Sequence, residues 1–256
     1  MYDIHSHILP GVDDGAQSLD EALAMAELAA RSGVQCMTVT PHSNQKGRYE
    51  NYDSIAILDT YDQLRQAIRE EGIPLKLVRG MEIFADRELA WKISSGQVIP
   101  LNNSRYYLIE FRFDEEDWFI AETINSVCKL GKVPVIAHPE RYGCVQHRPE
   151  LVWHWRGMGA LAQLNKGSPL GMFGSRPQKC AQVLLEHGLV NCIASDAHSP
   201  HSRTPDMSRL VEWLHQRYPG EYCRLLLHTN PKRILNDRSL DNQPAPLRPE
   251  PERRWF

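Results

Sequence analysis

The stretch MYDIHSHILPGVDDGA, residues 1–16, sets the pattern from which the fold is predicted. Its apolar start predicts a short strand, and His5 and His7 follow that strand directly. Side chains two residues apart on an extended chain point to the same side, so the two imidazoles converge. A shared metal ion is the usual reason for such convergence. The simpler alternatives are an exposed stub for the histidine pair and a plain turn for the Asp-Asp-Gly sequence.

Strand-like and helix-like segments alternate along the rest of the chain. After the first strand, Ser18 and Glu21 form a capping box at the start of an amphipathic helix, which Gly33 ends. Regular alternation of strand and helix indicates a parallel sheet. The seven predicted strands are MYDI, VQCMTVT, LKLVRG, YYLIEF, VPVIAH, ALAQLN and VNCIAS. The predicted helices cover residues 18–31, 54–71, 86–95, 117–130, 149–156, 176–187, 206–217 and 221–228, and HTNP at 228–231 is predicted to be a turn.

The composition is that of an ordinary globular protein of 256 residues, 42% hydrophobic and 24% charged, with a net charge of -3. No basic block indicates a nucleic-acid partner, and no apolar run is long enough for direct membrane insertion. The six cysteines form no C-x-x-C pair, and Met1 runs into the histidine pair without room for a signal peptide. We therefore expect reduced thiols and a cytoplasmic location.

The chain is expected to form one domain followed by a tail. No linker and no internal repeat interrupts the alternation, which favours a single barrel domain over residues 1–235. Residues 236–256 carry four prolines among charged residues. Such a composition is typical of an extended segment that is poorly ordered unless it docks on a partner.

Nearly every predicted strand ends at an imidazole or a carboxylate. The carboxyl ends of parallel strands in a barrel gather on one face, where the active sites of such enzymes lie. Any one of these residues alone is more often a cap or a satisfied polar side chain, but their concentration at strand ends favours a metal centre. Imidazole and carboxylate ligands suit manganese, iron or zinc, and this set is large enough for two or three bridged ions. The candidates are His5, His7, Asp14, His42, Glu82, Glu110, His138, Asp196 and His198.

Six segments together resemble the PHP superfamily, named for polymerase and histidinol phosphatase. The segments are DIHSHILPGVDDGA, TPHSNQKGRYEN, GMEIF, AHPERY, QLNKGSPLGMFG and IASDAH. More narrowly, they resemble its bacterial protein-tyrosine phosphatase branch, which occurs with capsule and exopolysaccharide synthesis. The opening motif with PGVDDGA is specific to that branch, whereas H-x-H alone is not. The resemblance runs from residue 2 to about residue 235.

The resemblance implies an α/β fold, a distorted (β/α)7 TIM-like barrel of the PHP type, in agreement with the strand count. It also implies three divalent metal ions, often manganese, with iron or zinc as alternatives. By motif, His5, His7, Glu82 and Asp196 would hold one ion, Glu82, Glu110 and His138 a second with Glu82 bridging, and Asp14, His42 and His198 the third.

Two arginines are expected to contact the phosphate group of a substrate. By the resemblance, Arg141 follows the H-x-E stretch and Arg203 follows the D-A-H motif. A planar guanidinium can bind two phosphate oxygens at once. The alternative for Arg141 is a structural ion pair with Glu140 or a neighbouring carboxylate.

The function that the resemblance implies is hydrolysis of phosphotyrosine by a metal-bridging hydroxide. Metal ions lower the pKa of bound water from 15.7 to about 7, which makes such a nucleophile available. The expected partner is a phosphotyrosine-bearing protein, a membrane tyrosine autokinase that controls polysaccharide export. The alternatives are a small-molecule phosphomonoesterase, such as a histidinol phosphatase, and a non-catalytic adaptor. A cysteine-based phosphatase is excluded, because no cysteine is followed by an arginine six residues later.

Overall fold

In the computed structural model, which describes residues 1–240, short parallel strands curl around an apolar centre with helices on the outside. One sheet has the order β1-β2-β4 and the other the order β3-β5-β6-β7-β8-β9, and every pairing is parallel. The strands are β1 Tyr2–Asp3, β2 Cys36–Val39, β3 His42–Ser43, β4 Lys76–Arg79, β5 Glu82–Phe84, β6 Tyr106–Glu110, β7 Val133–Ala137, β8 Leu161–Asn165 and β9 Cys192–Ala194.

Two of the predicted strands are each followed by a further short strand that was not predicted, β3 after β2 and β5 after β4. The first break falls at Thr40 and Pro41, because Thr40 bonds to Ser6, in the segment after β1, and proline has no amide hydrogen to donate. The second break falls at Gly80, whose amide still donates to Val39 O at 2.9 Å. Backbone hydrogen bonds therefore continue across the interruption, and the segments follow one path.

The first and last strands approach each other and increase the curl of the sheet. Ser6 forms an isolated parallel bridge with Ala197. The amide of His7 donates to Ala197 O at 2.8 Å, and the amide of Asp196 donates to His5 O at 2.9 Å. Residues from opposite ends of the chain thus meet at one edge.

The helices agree with most of the predicted ranges. Ser18 caps α1 by accepting from the Glu21 amide at 3.2 Å, while Glu21 accepts from Gln17 rather than from the cap residue itself. The helices are α1 Leu19–Arg31, α2 Ile55–Glu70, α3 Leu89–Ser94, α4 Asp117–Lys129, α5 Gly143–His147, α6 Glu150–Gly157, α7 Ser175–Glu186, α8 Ser208–His215, α9 Gly220–Arg224 and α10 Asn230–Leu235.

The last helical region differs from its prediction. The helix predicted over 221–228 is divided into α9 and a wide π-helical turn, Leu225–Thr229, which leads directly into α10. The predicted HTNP turn is therefore wrong, since these residues are helical. Pro231 occupies the start of α10, where a missing amide hydrogen costs nothing. The short α5 had no sequence signal.

The side chains of β6 show how the layers of the fold arise. Tyr106 and Leu108 point into the curl, and Tyr107 and Ile109 pack outward against the helices. Full burial of a leucine such as Leu108 stabilises the fold by about 1.5–3 kcal/mol. Glu110 continues the inward row at the end of the strand. The inner cluster comprises Ile4, Cys36, Val78, Leu101, Tyr106, Leu108, Val135, Ala137, Cys192, Ala194, Ile234 and Leu235.

The beginning of the predicted tail packs on the domain. The Arg105 amide donates to Asp237 Oδ1 at 2.8 Å, and the Tyr106 hydroxyl donates to Arg238 O at 2.8 Å. The prolines of the predicted tail lie outside the described residues, in 241–256. No helix in residues 1–240 is long and apolar enough to cross a membrane.

Candidate metal centre

The nine candidate ligands lie together at the carboxyl ends of the strands, and this set is called the rim. His5 and His7 follow β1, Glu82 begins β5 and His138 follows β7. Most of the rim is buried, with only Asp14 substantially exposed. The strand order explains the convergence, because parallel strands bring all their carboxyl ends to the same face.

Glu82 lies at the centre of the rim and faces four imidazoles. Its Oε1 is 3.1 Å from His5 Nε2 and 3.0 Å from His138 Nε2. Its Oε2 is 3.3 Å from His7 Nε2 and 2.8 Å from His42 Nδ1. A carboxylate in this position can bridge two cations.

Two further carboxylates complete the inner part of the rim. Asp196 Oδ1 is 3.5 Å from the Nε2 atoms of both His5 and His7. Glu110 lies 3.6 Å from His138 Nε2 and 3.5 Å from His42 Nδ1. Each imidazole of this group therefore faces more than one carboxylate.

The outer part of the rim is formed around Asp14. Its Oδ1 is 3.4 Å from His42 Nε2 and 3.5 Å from His198 Nε2. The ring of His7 packs against both imidazoles, with centroid distances of 4.4 Å to His42 and 4.0 Å to His198. Asp14 is open to solvent on one side, so this group is the one nearest the surface.

The backbone is strained where two rim residues leave their strands. His138 has φ 33° and Asp196 has φ 48°, both in the left-handed region. Non-glycine residues adopt this region at a cost of order 1–3 kcal/mol, and such residues cluster at functional sites. The strain turns both side chains toward the rim instead of continuing the alternation of the strand.

Hydrogen bonds fix which nitrogen of His5 and of His7 faces the rim. Gln163 Oε1 accepts from His5 Nδ1 at 2.9 Å, and the Gln163 amide group donates to Leu164 O. Asp13 Oδ2 accepts from His7 Nδ1 at 2.7 Å. Both Nε2 atoms are therefore unprotonated in the neutral rings, and they face each other at 3.3 Å. Two lone pairs facing each other beside two carboxylates fit a bound cation.

Proton affinities in the rim are far from their ordinary values. Burial alone would lower the pKa of His5, but the Glu82 and Asp196 carboxylates outweigh it and raise the pKa to about 9. Burial and then the Glu82 charge raise the pKa of Glu110 to about 8. Burial lowers the pKa of His138 to about 4. Metal ligands must be deprotonated, so a cation would displace protons from His5 and Glu110.

Three supporting residues were missed by the sequence analysis. Asp13, interpreted only as part of a turn, holds His7 and also accepts from the His42 amide at 2.8 Å. Gln163 holds His5, and its signal was a polar residue within the apolar run ALAQLN. Asn165 donates to Asp196 Oδ2 at 2.5 Å. Partners of this kind orient metal ligands in proteins.

The two candidate arginines lie at the mouth of the rim. Arg141 Nη1 is 3.6 Å from Asp196 Oδ2, and Arg203 Nη2 donates to the same oxygen at 2.5 Å. Of the alternative partners predicted for Arg141, Glu140 instead accepts from Ser168 Oγ at 2.6 Å, whereas the neighbouring carboxylate of Asp196 does form an ion pair with it. A cavity of about 160 Å³ opens over the rim between these arginines.

A larger cleft adjoins this mouth. It has a volume of about 700 Å³, and Phe84, Phe111 and Phe113 line it together with Lys46. Glu110 and Phe113 border both spaces. A molecule with one end over the rim can therefore place an apolar group in the cleft.

Comparison with known sequences gives consistent matches over nearly the whole chain. A family model described as capsular polysaccharide synthesis, CpsB/CapC, matches residues 1–236. The tyrosine-protein phosphatase YwqE of Bacillus subtilis (strain 168) is 34% identical over 254 residues, which cover 99% of this chain and 97% of the relative. The tyrosine-protein phosphatase CpsB of Streptococcus pneumoniae is 33% identical over 242 residues, covering 93% and 99%.

Solved structures give the same picture. A structure described with YwqE from Bacillus subtilis and CpsB from Streptococcus pneumoniae, as unique metal-dependent tyrosine phosphatases, has a TM-score of 0.90 at 32% identity. The match covers 98% of this chain and 100% of that one. Dihydropyrimidinase from Brevibacillus agri has a TM-score of 0.56 at 9% identity, covering 92% and 70%, which shows a shared fold alone.

Proposed function

The chain belongs to the CpsB/CapC family of capsular polysaccharide synthesis proteins, and from this we propose that it is a metal-dependent phosphatase that hydrolyses phosphotyrosine. The observation that carries the proposal is the meeting of the His5 and His7 Nε2 atoms at 3.3 Å beside Glu82 and Asp196. A bound cation would interact with all of these buried acceptors at once.

Four groups of rim residues whose ligand atoms lie close together support the proposed ions, for which manganese is the first choice and iron or zinc the alternatives. Bound divalent cations supply Lewis-acid chemistry, since they lower the pKa of water and neutralise phosphate oxygens. By the resemblance, His5, His7, Glu82 and Asp196 would hold one ion, Glu82, Glu110 and His138 a second, and Asp14, His42 and His198 a third. His7 also lies beside the third group, but its Nδ1 is bonded to Asp13, so only its Nε2 can bind an ion.

Arg141 and Arg203 are proposed to bind the phosphate group at the mouth. Their guanidinium groups both border the cavity above the rim. The guanidinium of arginine is planar and presents paired N–H donors that match two phosphate oxygens. It also stays charged at any physiological pH. Charge that develops on those oxygens during hydrolysis is thereby stabilised by donors already in place.

The apolar cleft beside the mouth supports the proposal that the leaving group is aromatic. Its phenylalanine side chains suit the ring of a phosphotyrosine whose phosphate lies over the rim. A phenolate leaves readily, so a strong general acid is not required. The proposed substrate protein is a membrane tyrosine autokinase, in keeping with the capsular polysaccharide synthesis description of the family.

The proposed function also implies a barrel fold, a single domain and a cytoplasmic location. We infer that the nine strand segments form seven strands of a distorted barrel of the PHP type, with β2 and β3 sharing one strand and β4 and β5 another. Residues 1–235 would form the single domain, which fits the extent of the family match. A cytoplasmic location is proposed because the kinase would present its phosphotyrosines there.

The decisive experiment measures metal content and substrate preference on the same preparation. Protein purified without added metal should contain manganese, iron or zinc by elemental analysis. Its kcat/KM should be higher for a phosphotyrosyl peptide than for histidinol phosphate. His138→Ala should abolish turnover, whereas His147→Ala, on an exposed histidine outside the rim, should not.

Each contrary result has a distinct meaning. Preference for histidinol phosphate would make the protein a small-molecule phosphatase. Absence of turnover with every divalent ion tested, together with loss of partner binding on deletion of residues 236–256, would make it a non-catalytic adaptor.

A further inference from the structure

The guanidinium of Arg141 lies over two phenyl rings at once. Its Cζ is 4.4 Å from the ring centroid of Phe113 and 4.5 Å from that of Phe173. Phe113 follows β6, and Phe173 lies in the loop between β8 and α7. A cation within about 6 Å of an aromatic face is attracted by the ring quadrupole. Two loops from different strands therefore contact one functional side chain.

We propose that Phe113 and Phe173 are positioning residues that hold Arg141 in place to bind the phosphate group. The inference rests on the proposed role of Arg141 in phosphate binding and identifies the residues that hold its guanidinium in position. The rings do not touch the reacting atoms and act only through the arginine.

The ionic contacts of Arg141 explain why the rings are needed. Its nearest carboxylate oxygen is Asp196 Oδ2, at 3.6 Å, which is too long for a good hydrogen bond. That oxygen already accepts from Arg203 and from Asn165, each at 2.5 Å. Aromatic faces attract a guanidinium without occupying its N–H donors. Among residues 1–240, the guanidinium donors of Arg141 thus stay free for phosphate.

The exposure of Phe113 argues against a simple packing role. Its side chain is 46% exposed, unlike a residue of the core. Its ring lies 6.0 Å from that of His138 and 6.4 Å from that of Tyr142, and its backbone oxygen accepts from the Gly143 amide at 2.8 Å. The loop is thus fixed to the structure while the ring stays at the mouth.

A tight loop presents Phe173. The Met172 amide donates to Gly167 O at 3.0 Å, which closes the loop. A Cβ added at Gly167 would lie only 2.8 Å from Phe173 Cε2, so the missing side chain makes room for the ring. Phe173 also lies 5.9 Å from Arg203 Cζ, which brings both arginines to one ring.

A double-mutant cycle with Phe173→Leu and Arg141→Ala tests the proposal. Phe173 is the better choice, because Phe113 also borders the cleft. Phe173→Leu should raise KM and the inhibition constant of inorganic phosphate roughly 3- to 30-fold, the range of a lost cation–π contact. Phe173→Tyr, which keeps an aromatic face, should restore both. Met172→Leu, in the same loop, is the matched control and should behave as wild type. In the Arg141→Ala background, Phe173→Leu should have a much smaller effect, limited to what its more distant contact with Arg203 contributes.

The outcomes separate this inference from the proposed function. If Phe173→Leu has the same effect with and without Arg141, the ring does not act through the arginine and the inference is wrong. If Arg141→Ala itself changes nothing, the proposed phosphate role of Arg141 fails first. Should Phe173→Leu not fold, Phe113→Leu goes through the same cycle with the inhibition constant of inorganic phosphate as the readout, because phosphate has no ring to occupy the cleft, and it must show the same loss of effect.

Discussion

The inner cluster and the rim lie on the same strands, yet they are stabilised in opposite ways. On β6, Leu108 of the inner cluster is followed two residues later by Glu110 of the rim, on the same side of the strand. Apolar groups gain free energy simply by leaving water, whereas buried carboxylates and imidazoles lose it unless they are compensated. The inner cluster therefore stabilises the fold without any ligand. The rim depends on what it binds.

Removal of metal should have the largest effect, because it takes away the ions that the rim is proposed to bind. Chelation should abolish turnover of p-nitrophenyl phosphate and lower the melting temperature. A ligand present at 100 times its Kd stabilises by about 2.7 kcal/mol, and that stabilisation would be lost. Asp196→Ala should abolish turnover as well. Turnover and melting temperature that are both unchanged after chelation would show that the rim is not a metal centre.

Loss of Arg141 should reduce activity strongly while the rim keeps its metal. Removing one donor from a preorganised anion site typically costs about 10²–10³ in rate. Arg141→Ala should therefore lower kcat/KM by roughly that factor, and elemental analysis should give the wild-type metal content. Unchanged kinetics would remove Arg141 from substrate binding.

Damage to the inner cluster should reverse this pattern and reduce stability instead of activity. Leu108→Ala leaves a cavity in a fully buried position and should lower the free energy of unfolding by about 2–5 kcal/mol in urea titrations. Kinetic constants of the folded enzyme should stay close to wild type. Leu58→Ala, at an exposed position on α2, is the matched control and should cost much less. Equal losses would contradict the role given to the inner cluster.

The smallest expected effect concerns Glu140, a buried carboxyl between the two regions. Burial raises its pKa from 4.5 to about 7, and the Ser168 hydrogen bond opposes only part of this. The folded state thus binds the proton more tightly, so stability should fall as pH rises from about 4.5 to 7, by at most about 3 kcal/mol. Glu140→Gln cannot titrate and should lack this fall. Urea titrations of chelator-treated wild type and chelator-treated Glu140→Gln from pH 5 to 8 would test this. Free energies of unfolding that change with pH in parallel in the two proteins would contradict it.

Much of the architecture could be predicted because local and tertiary preferences agree. The capping residue Ser18 and the strand-helix alternation act over a few residues, so the sequence displays them directly. The positions of Glu110 and His138 followed from one general property, that parallel strands end on one face. The resemblance to a known family then supplied roles that the residue types alone left open.

What could not be predicted depends on contacts between distant residues. The break after β2 requires the pairing of Thr40 with Ser6, which lies 34 positions away. Gln163 and His5 are 158 positions apart, and only the curled sheet brings them into contact. The two rings over Arg141 likewise come from loops that show no periodic signal.

The pairing of the first strand with the last has a consequence for biosynthesis. His5 and His7 leave the ribosome long before Asp196 is added, so the nascent chain has these two histidines without the aspartate that faces them. The proposed ion at His5, His7, Glu82 and Asp196 would therefore bind only after translation has passed Asp196. A messenger truncated before that codon would yield a product that has several rim histidines and no means of retaining a cation between its two ends.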